Sequence, residues 1–207
     1  MVLKIVAIIL CYLLGSVSFS VLLAKFLKGI DIRQHGSGNA GATNTLRVLG
    51  KGPAILVLAL DVLKGIAAVW IGKWLGGDNE WMAGICGIAA IAGHNWPLYF
   101  RFRGGKGIAT AIGVLATISF LPALYAGIIA ILSIVFTRYV SLGSLIFVSL
   151  TPVFLVWMKY PWPIFWTSLI ICIFAIWRHR TNIIKLVQGR ENKLGSGKKQ
   201  KGGERVV

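Results

Sequence analysis

Apolar residues run along this chain in blocks of membrane length, separated by short polar loops in which glycine and basic residues collect. The blocks fall at 2–24, 53–74, 81–100, 108–137, 140–158 and 164–177. A helix of ~20 apolar residues crosses a bilayer, so the pattern predicts an all-α integral membrane protein. The first block has no small-residue cleavage site at its end and is expected to remain as a helix, not to be removed as a signal peptide. The block at 108–137 holds about 30 residues, more than one span needs.

Charge decides how that long block is divided, because basic residues accumulate on the cytoplasmic side of a membrane protein. Lys25, Lys28 and Arg33 follow the first block, and Arg101, Arg103 and Lys106 follow the third. The segment 76–80 carries two acids and no base, as an outer turn should. Arg138 and the basic C-terminal region join the cytoplasmic side only if 108–137 is split near 119–122, with Pro122 at the turn, into 108–120 and 123–137. The expectation is seven transmembrane helices, some short, with the N-terminus outside and the C-terminus cytoplasmic. Residues 1–191 form the membrane domain, and 192–207 a basic, disordered cytoplasmic tail.

Composition agrees. The chain is 57% hydrophobic and 14% charged, against about a quarter charged in soluble domains. Its net charge of +16 is explained by topology without a nucleic-acid partner. Residues 178–207 hold nine Lys/Arg against two Glu, which suits contact with anionic lipid head groups. Cys11, Cys86 and Cys172 lie inside apolar blocks as packing residues, and their spacing implies neither a disulfide framework nor a metal site.

The polar loops carry the chemistry. Residues 36–47, GSGNAGATNTLR, combine Gly36, Gly38 and Gly41 with Ser37, Asn39, Thr43, Asn44 and Arg47, and contain no acid. Uncovered backbone N–H groups, hydroxyls, amides and a guanidinium make a nest for phosphate. Ser37 is read as the cap of a short helix, with Asn39, Thr43 and Asn44 along one face. A second such loop, RFRGGKGIAT at 101–110, sets Gly104, Gly105 and Gly107 around Lys106. It lacks the spacing and the Ser/Thr of a Walker A loop, so nucleotide hydrolysis is not expected. His94 sits near the end of the third span, where it either binds substrate or is a satisfied helix-end histidine. Asp61 and Lys64 lie three apart within the second span, and a structural ion pair is the preferred reading. Arg138, Ser141 and Ser144 share one helix face. His179 and Asn182 share another, in WRHRTNIIKLVQGRE, which ends at Glu191.

These segments, in this order, resemble the bacterial acyl-phosphate:glycerol-3-phosphate acyltransferases, the PlsY family. The likeness runs through GSGNAGATNTLR, AGHNWPLYFRFRGGKGIAT, RYVSLGS and WRHRTNI–GRE, from Met1 to about Glu191. It implies a seven-helix enzyme of the bacterial plasma membrane with its active site on the cytoplasmic side. The implied reaction moves an acyl group from acyl phosphate to the sn-1 hydroxyl of glycerol 3-phosphate, giving lysophosphatidate and phosphate. This is the first committed step of phospholipid synthesis. The His-x4-Asp pair of other glycerol-phosphate acyltransferases is absent: Ala40, Tyr99 and Ile184 stand five residues after His35, His94 and His179.

The expected catalytic set is Ser37, Arg47, Lys106, His94 and His179. Gly36, Gly38, Asn39, Gly41, Thr43, Asn44, Gly104, Gly105, Gly107, Ser141, Ser144, Asn182 and Glu191 are expected to bind substrate. No metal or cofactor is expected. The partners are membrane lipids, the two substrates and the soluble enzyme that makes the acyl phosphate. A phosphate or organic-phosphate transporter would want similar loops. It would place them at the bilayer midplane between repeats, and no convincing internal repeat is visible. A non-enzymatic scaffold acting through the basic tail is a third reading.

Overall fold

A computed structural model of the protein describes residues 1–77 and 79–195. The helices are α1 (Val2–Ser16), α2 (Phe19–Lys28), α3 (Ala42–Leu49), α4 (Lys51–Gly76) and α5 (Glu80–Asn95), then α6 (Ile108–Ile118), α7 (Phe120–Thr137), α8 (Val140–Trp157), α9 (Trp162–Arg178) and α10 (Arg180–Val187). Two 3-10 turns, Ile32–Gln34 and Leu98–Phe100, shape the loops, and no strand occurs among the described residues. α1 packs on α5 and α4, α4 on α5 and α6, and α7 on α8. α9 joins the two groups through α5 and α8.

Lipid is a poor solvent for backbone groups but no worse for a Leu side chain than a protein core, so membrane helices associate through small residues that let backbones meet. That is how α1 meets α5: a Cβ on Gly15 would lie 2.1 Å from Ala90 O, and one on Gly93 2.2 Å from Tyr12 O. Helices α4 and α6 cross the same way at Gly65 and Gly113. A core of Val69, Ile91, Val114, Leu115, Phe147, Val148 and Ile171 fills the centre. Outside, large apolar side chains such as Ile9, Trp74, Ile131, Phe136, Val153, Trp157 and Ile173 are exposed. An apolar belt of that extent belongs in a bilayer.

By length and composition four segments qualify as spans, Val2–Lys28, Lys51–Gly76, Phe120–Thr137 and Val140–Trp157. A fifth is Trp162–Arg178 joined to Arg180–Val187 across a 63° bend. The expected seven exceed this because α5, at 16 residues, and α6, at 11, are short. The expected break in the long block is present. It sits at Ser119, whose non-helical backbone ends α6 and begins α7, while Pro122 lies inside the first turn of α7 and not at the turn itself. A first-turn proline costs no hydrogen bond, since its N–H would have no partner there.

The span expected at 2–24 is not one straight helix. It breaks between Ser16 and Phe19, through Val17 and Ser18, both in extended backbone. The three cysteines are buried and free. The described chain continues past the expected boundary at Glu191: Leu194 N donates to Arg138 O at 2.7 Å, and the Arg138 guanidinium donates to Leu194 O. The rest of the expected tail lies outside the described residues.

Candidate active site

The loop between α2 and α3 is shaped by a few side chains. Arg33 lies against Asp31, 2.7 Å away, and holds that carboxyl below the usual carboxylate range. Its other nitrogen donates to Phe100 O at 2.8 Å and Arg103 O at 3.3 Å, stapling the first polar loop to the second. Asn44 is fully buried. Its Nδ2 donates to Ile32 O and His35 O, and its Oδ1 accepts from Ser37 N at 2.8 Å. Gly36 makes room for this: its φ is +63°, and a Cβ there would sit 2.2 Å from Asn44 Oδ1. Two expectations are corrected. Ser37 does not cap α3, whose N-cap is Gly41 without a side-chain hydrogen bond. Asn39 precedes the helix and so shares no helix face with Thr43 and Asn44. Because the three bonds of Asn44 all go to the loop, it builds the nest from beneath. Ser37 and Arg47 stand exposed above it.

The second loop meets the first through its glycines. A Cβ at Gly105 would fall 2.4 Å from Ala40 O and 2.1 Å from His94 Nε2. Gly105 N donates to His94 O at 3.1 Å. Gly107, at φ +80°, starts α6 in a left-handed conformation that favours glycine. From the other side Arg178 donates to Gly104 O at 3.2 Å and to Gly105 O at 2.7 and 3.1 Å. The double glycine is clamped between α5 and the end of α9.

Lys106 follows that clamp and donates to Asn182 Oδ1. Asn182 Nδ2 in turn donates to Glu191 Oε2 at 3.0 Å. Burial, opposed by Glu191 and reinforced by Arg178, Arg47 and Lys185, pushes the Lys106 ammonium down to about 8. Four cations with one carboxylate describe a site short of anions. His179, buried at the bend between α9 and α10, places Nδ1 2.8 Å from Ala175 O. A carbonyl only accepts, so Nδ1 carries the proton and the neutral ring keeps a lone pair on Nε2. Beside this bend lies an open apolar groove of about 470 Å³, lined by Ile173, Ile176, Trp177, Arg180, Ile183 and Ile184.

The structure therefore brings Arg47, Gly104, Gly105, Lys106, His179, Asn182 and Glu191 into one region. Ser141 and Ser144 are buried on α8, which packs against α10. Ser144 Oγ donates to Val140 O at 2.8 Å, the backbone bond a helical serine often makes, while Ser141 Oγ has no protein partner. His94 is set apart: its ring faces Asp61 and Lys64 on one edge and the back of Gly105 on the other. The ion pair expected of Asp61 and Lys64 is present at 2.7 Å. Arg178 and Lys185, which join this region, are not among the expected site residues. Lys185 stands three after Asn182, a spacing that puts both on one face, and Arg178 opens the basic stretch 178–207 expected to contact lipid head groups.

The family described as Glycerol-3-phosphate acyltransferase matches residues 5–189 of this chain. The chain is 59% identical over 192 residues to the glycerol-3-phosphate acyltransferase of Halalkalibacterium halodurans, covering 90% of this chain and 93% of that one. The enzyme of the same name from Shouchella clausii is 58% identical over 201 residues, covering 94% and 98%. Among solved structures, PlsY (YgiH), an integral membrane glycerol 3-phosphate acyltransferase in its glycerol 3-phosphate form, superposes with a TM-score of 0.88 at 40% identity, covering 93% of this chain and 96% of that one. Its lysophosphatidic acid form gives 0.86 at 39% identity with the same coverage. Fold, loops and sequence agree, and the chain belongs to the PlsY-type family of glycerol-3-phosphate acyltransferases.

Proposed function

We propose that the protein transfers an acyl group from acyl phosphate to the sn-1 hydroxyl of glycerol 3-phosphate, forming 1-acyl-glycerol 3-phosphate and inorganic phosphate. The observation that carries the reading is the meeting of Lys106, Arg47, Arg178 and Lys185 over two glycine-rich loops, with Glu191, among the described residues, as the one carboxylate that acts on Lys106. Two anionic substrates repel each other. Fixed cations and backbone N–H groups offset that repulsion and hold the reacting atoms together.

Ser37, Arg47, Lys106 and the N–H groups of the glycine loops bind the phosphates. Ser144, His179 and Asn182 hold glycerol 3-phosphate, with Glu191 orienting Asn182 through the bond described above. The acyl chain stays between helices, open to the bilayer, and the groove at the α9–α10 bend is a surface that suits it. The sn-1 oxygen attacks the acyl carbon, the carbon–oxygen bond to phosphate breaks, and the ester forms. The hydroxyl proton ends on a substrate phosphate, whose second pKa of about 6 lets it accept one near neutral pH. No acyl-enzyme is required. His179 Nε2 orients the hydroxyl as an acceptor and is not the obligatory base.

Residues 1–191 act as the catalytic membrane domain in a seven-helix, N-terminus-outside arrangement. Its site faces the cytoplasm of a bacterial cell, where the soluble source of acyl phosphate would dock. The basic loops at 25–33, 101–106 and 178–190 support that orientation. Purified protein given acyl phosphate and glycerol 3-phosphate should release phosphate and lysophosphatidate in equal amounts. Sealed vesicles carrying it should not accumulate glycerol 3-phosphate. Uptake without ester formation would replace this reading with the transporter.

A further inference from the structure

Asp61, Lys64 and His94 lie inside the bundle, exposed by 1%, 3% and 6%. Lys64 Nζ is 2.7 Å from Asp61 Oδ1 and donates to Gly15 O at 3.2 Å and Val17 O at 3.1 Å. Those two carbonyls are left over where the first span breaks, because the last carbonyls of a helix have no N–H four residues on. Lys64 Nζ also lies 2.9 Å from His94 Nδ1. An ammonium only donates, so Nδ1 accepts and the ring carries its proton on Nε2.

The opposite edge of that ring lies against the phosphate loop. His94 Nε2 occupies the space a Cβ of Gly105 would need, and His94 O accepts from Gly105 N. The next residue is Lys106. A continuous set of contacts thus joins the broken first span, through Lys64 and His94, to the cation of the site. Helix association alone does not call for this arrangement: α4 already meets α6 and α5 through small residues, and a buried ion pair is often no better for stability than apolar residues of the same volume.

Resting on the function proposed above, we infer that Asp61, Lys64 and His94 are positioning residues that fix the Gly104–Gly105 main chain, and through it Lys106, against the substrate phosphates. They touch no substrate themselves.

The test is a cycle between the ion pair and the histidine. The double variant Asp61→Asn/Lys64→Met removes both charges together and leaves neither unpaired. In otherwise wild-type protein it should lower kcat at least tenfold with little change in the KM for acyl phosphate, while the thermal midpoint falls by several degrees because Gly15 O, Val17 O and His94 Nδ1 lose their donor, so rates are read well below that midpoint. In a His94→Ala background the same double change should cost less than threefold, since the path is already cut. Unchanged kcat in the double variant, or an equal loss in both backgrounds, overturns the inference. If the double variant does not fold, His94→Gln and His94→Ala decide. Gln keeps a donor near Nε2 and should retain much more kcat than Ala at similar thermal midpoints, and equal loss in both overturns the relay. Failure of the wild type itself to turn over acyl phosphate would overturn the proposed function instead, so the two failures are distinguishable.

Discussion

Raising the pH above 8 should weaken the enzyme through one side chain. Lys106 is drawn out of water beside Arg47, Arg178 and Lys185, and its ammonium is held at about 8 even with Glu191 nearby. The charged form binds phosphate. In the free enzyme its fraction falls from about nine-tenths one unit below that value to about one-tenth one unit above, so kcat/KM for glycerol 3-phosphate should fall about tenfold per unit at higher pH. The substrate phosphates lose their second proton near pH 6 and contribute nothing to this limb. Initial rates of phosphate release across pH 6.5–10 are the assay. Lys106→Arg keeps a charge throughout the range, at a lower absolute rate because a planar guanidinium does not replace a point charge. Its alkaline limb should therefore vanish. A wild-type profile flat to pH 10, or an unchanged limb in Lys106→Arg, would show that Lys106 does not set the alkaline limb.

Glu191→Gln removes a carboxylate that raises the Lys106 value, so the alkaline limb should move to lower pH, and a shift upward would contradict the geometry. Gly105→Ala places a methyl within 2.1 Å of His94 Nε2 and 2.4 Å of Ala40 O. Overpacking of this kind costs ~1–3 kcal/mol, and turnover should fall at least tenfold. Gly52→Ala, where nothing lies within 4 Å, should leave activity unchanged. Asn44→Ala frees Ser37 N, Ile32 O and His35 O together. At ~1–3 kcal/mol for each unsatisfied group, the thermal midpoint should drop by several degrees and activity should be lost with it.

Much of this architecture is legible in the residues because membrane folding leaves coarse marks. A break in 108–137 near 119–122 follows from a length that one span does not need and a parity of charge that one span would violate, although the helix ends at Ile118, two residues before the expected end. The two glycine-rich polar loops stand out in the sequence because glycines alternate with hydrogen-bonding groups and exclude acids. The kink at Val17–Ser18 is not legible, since Ser16, Ser18 and Ser20 are tolerated in a span and the carbonyls they free are met by Lys64, some 47 residues away. Asn44 reads as a substrate ligand, and the three loop bonds its side chain makes are set by which carbonyls fold over it. The contacts of Arg178 are not legible because nothing local shows that Gly104 O and Gly105 O lie within its reach. His94 kept two readings open on sequence. Only tertiary packing reveals that one ring edge faces an ion pair and the other a glycine.

Donor choice is the sharpest test of the proposed chemistry. Purified protein should be given glycerol 3-phosphate with long-chain acyl phosphate, acyl-CoA or acyl carrier protein thioester in parallel, and lysophosphatidate measured in each. Product should form with acyl phosphate, with inorganic phosphate released one for one, and with neither thioester. Turnover with a thioester and none with acyl phosphate would contradict the proposed chemistry.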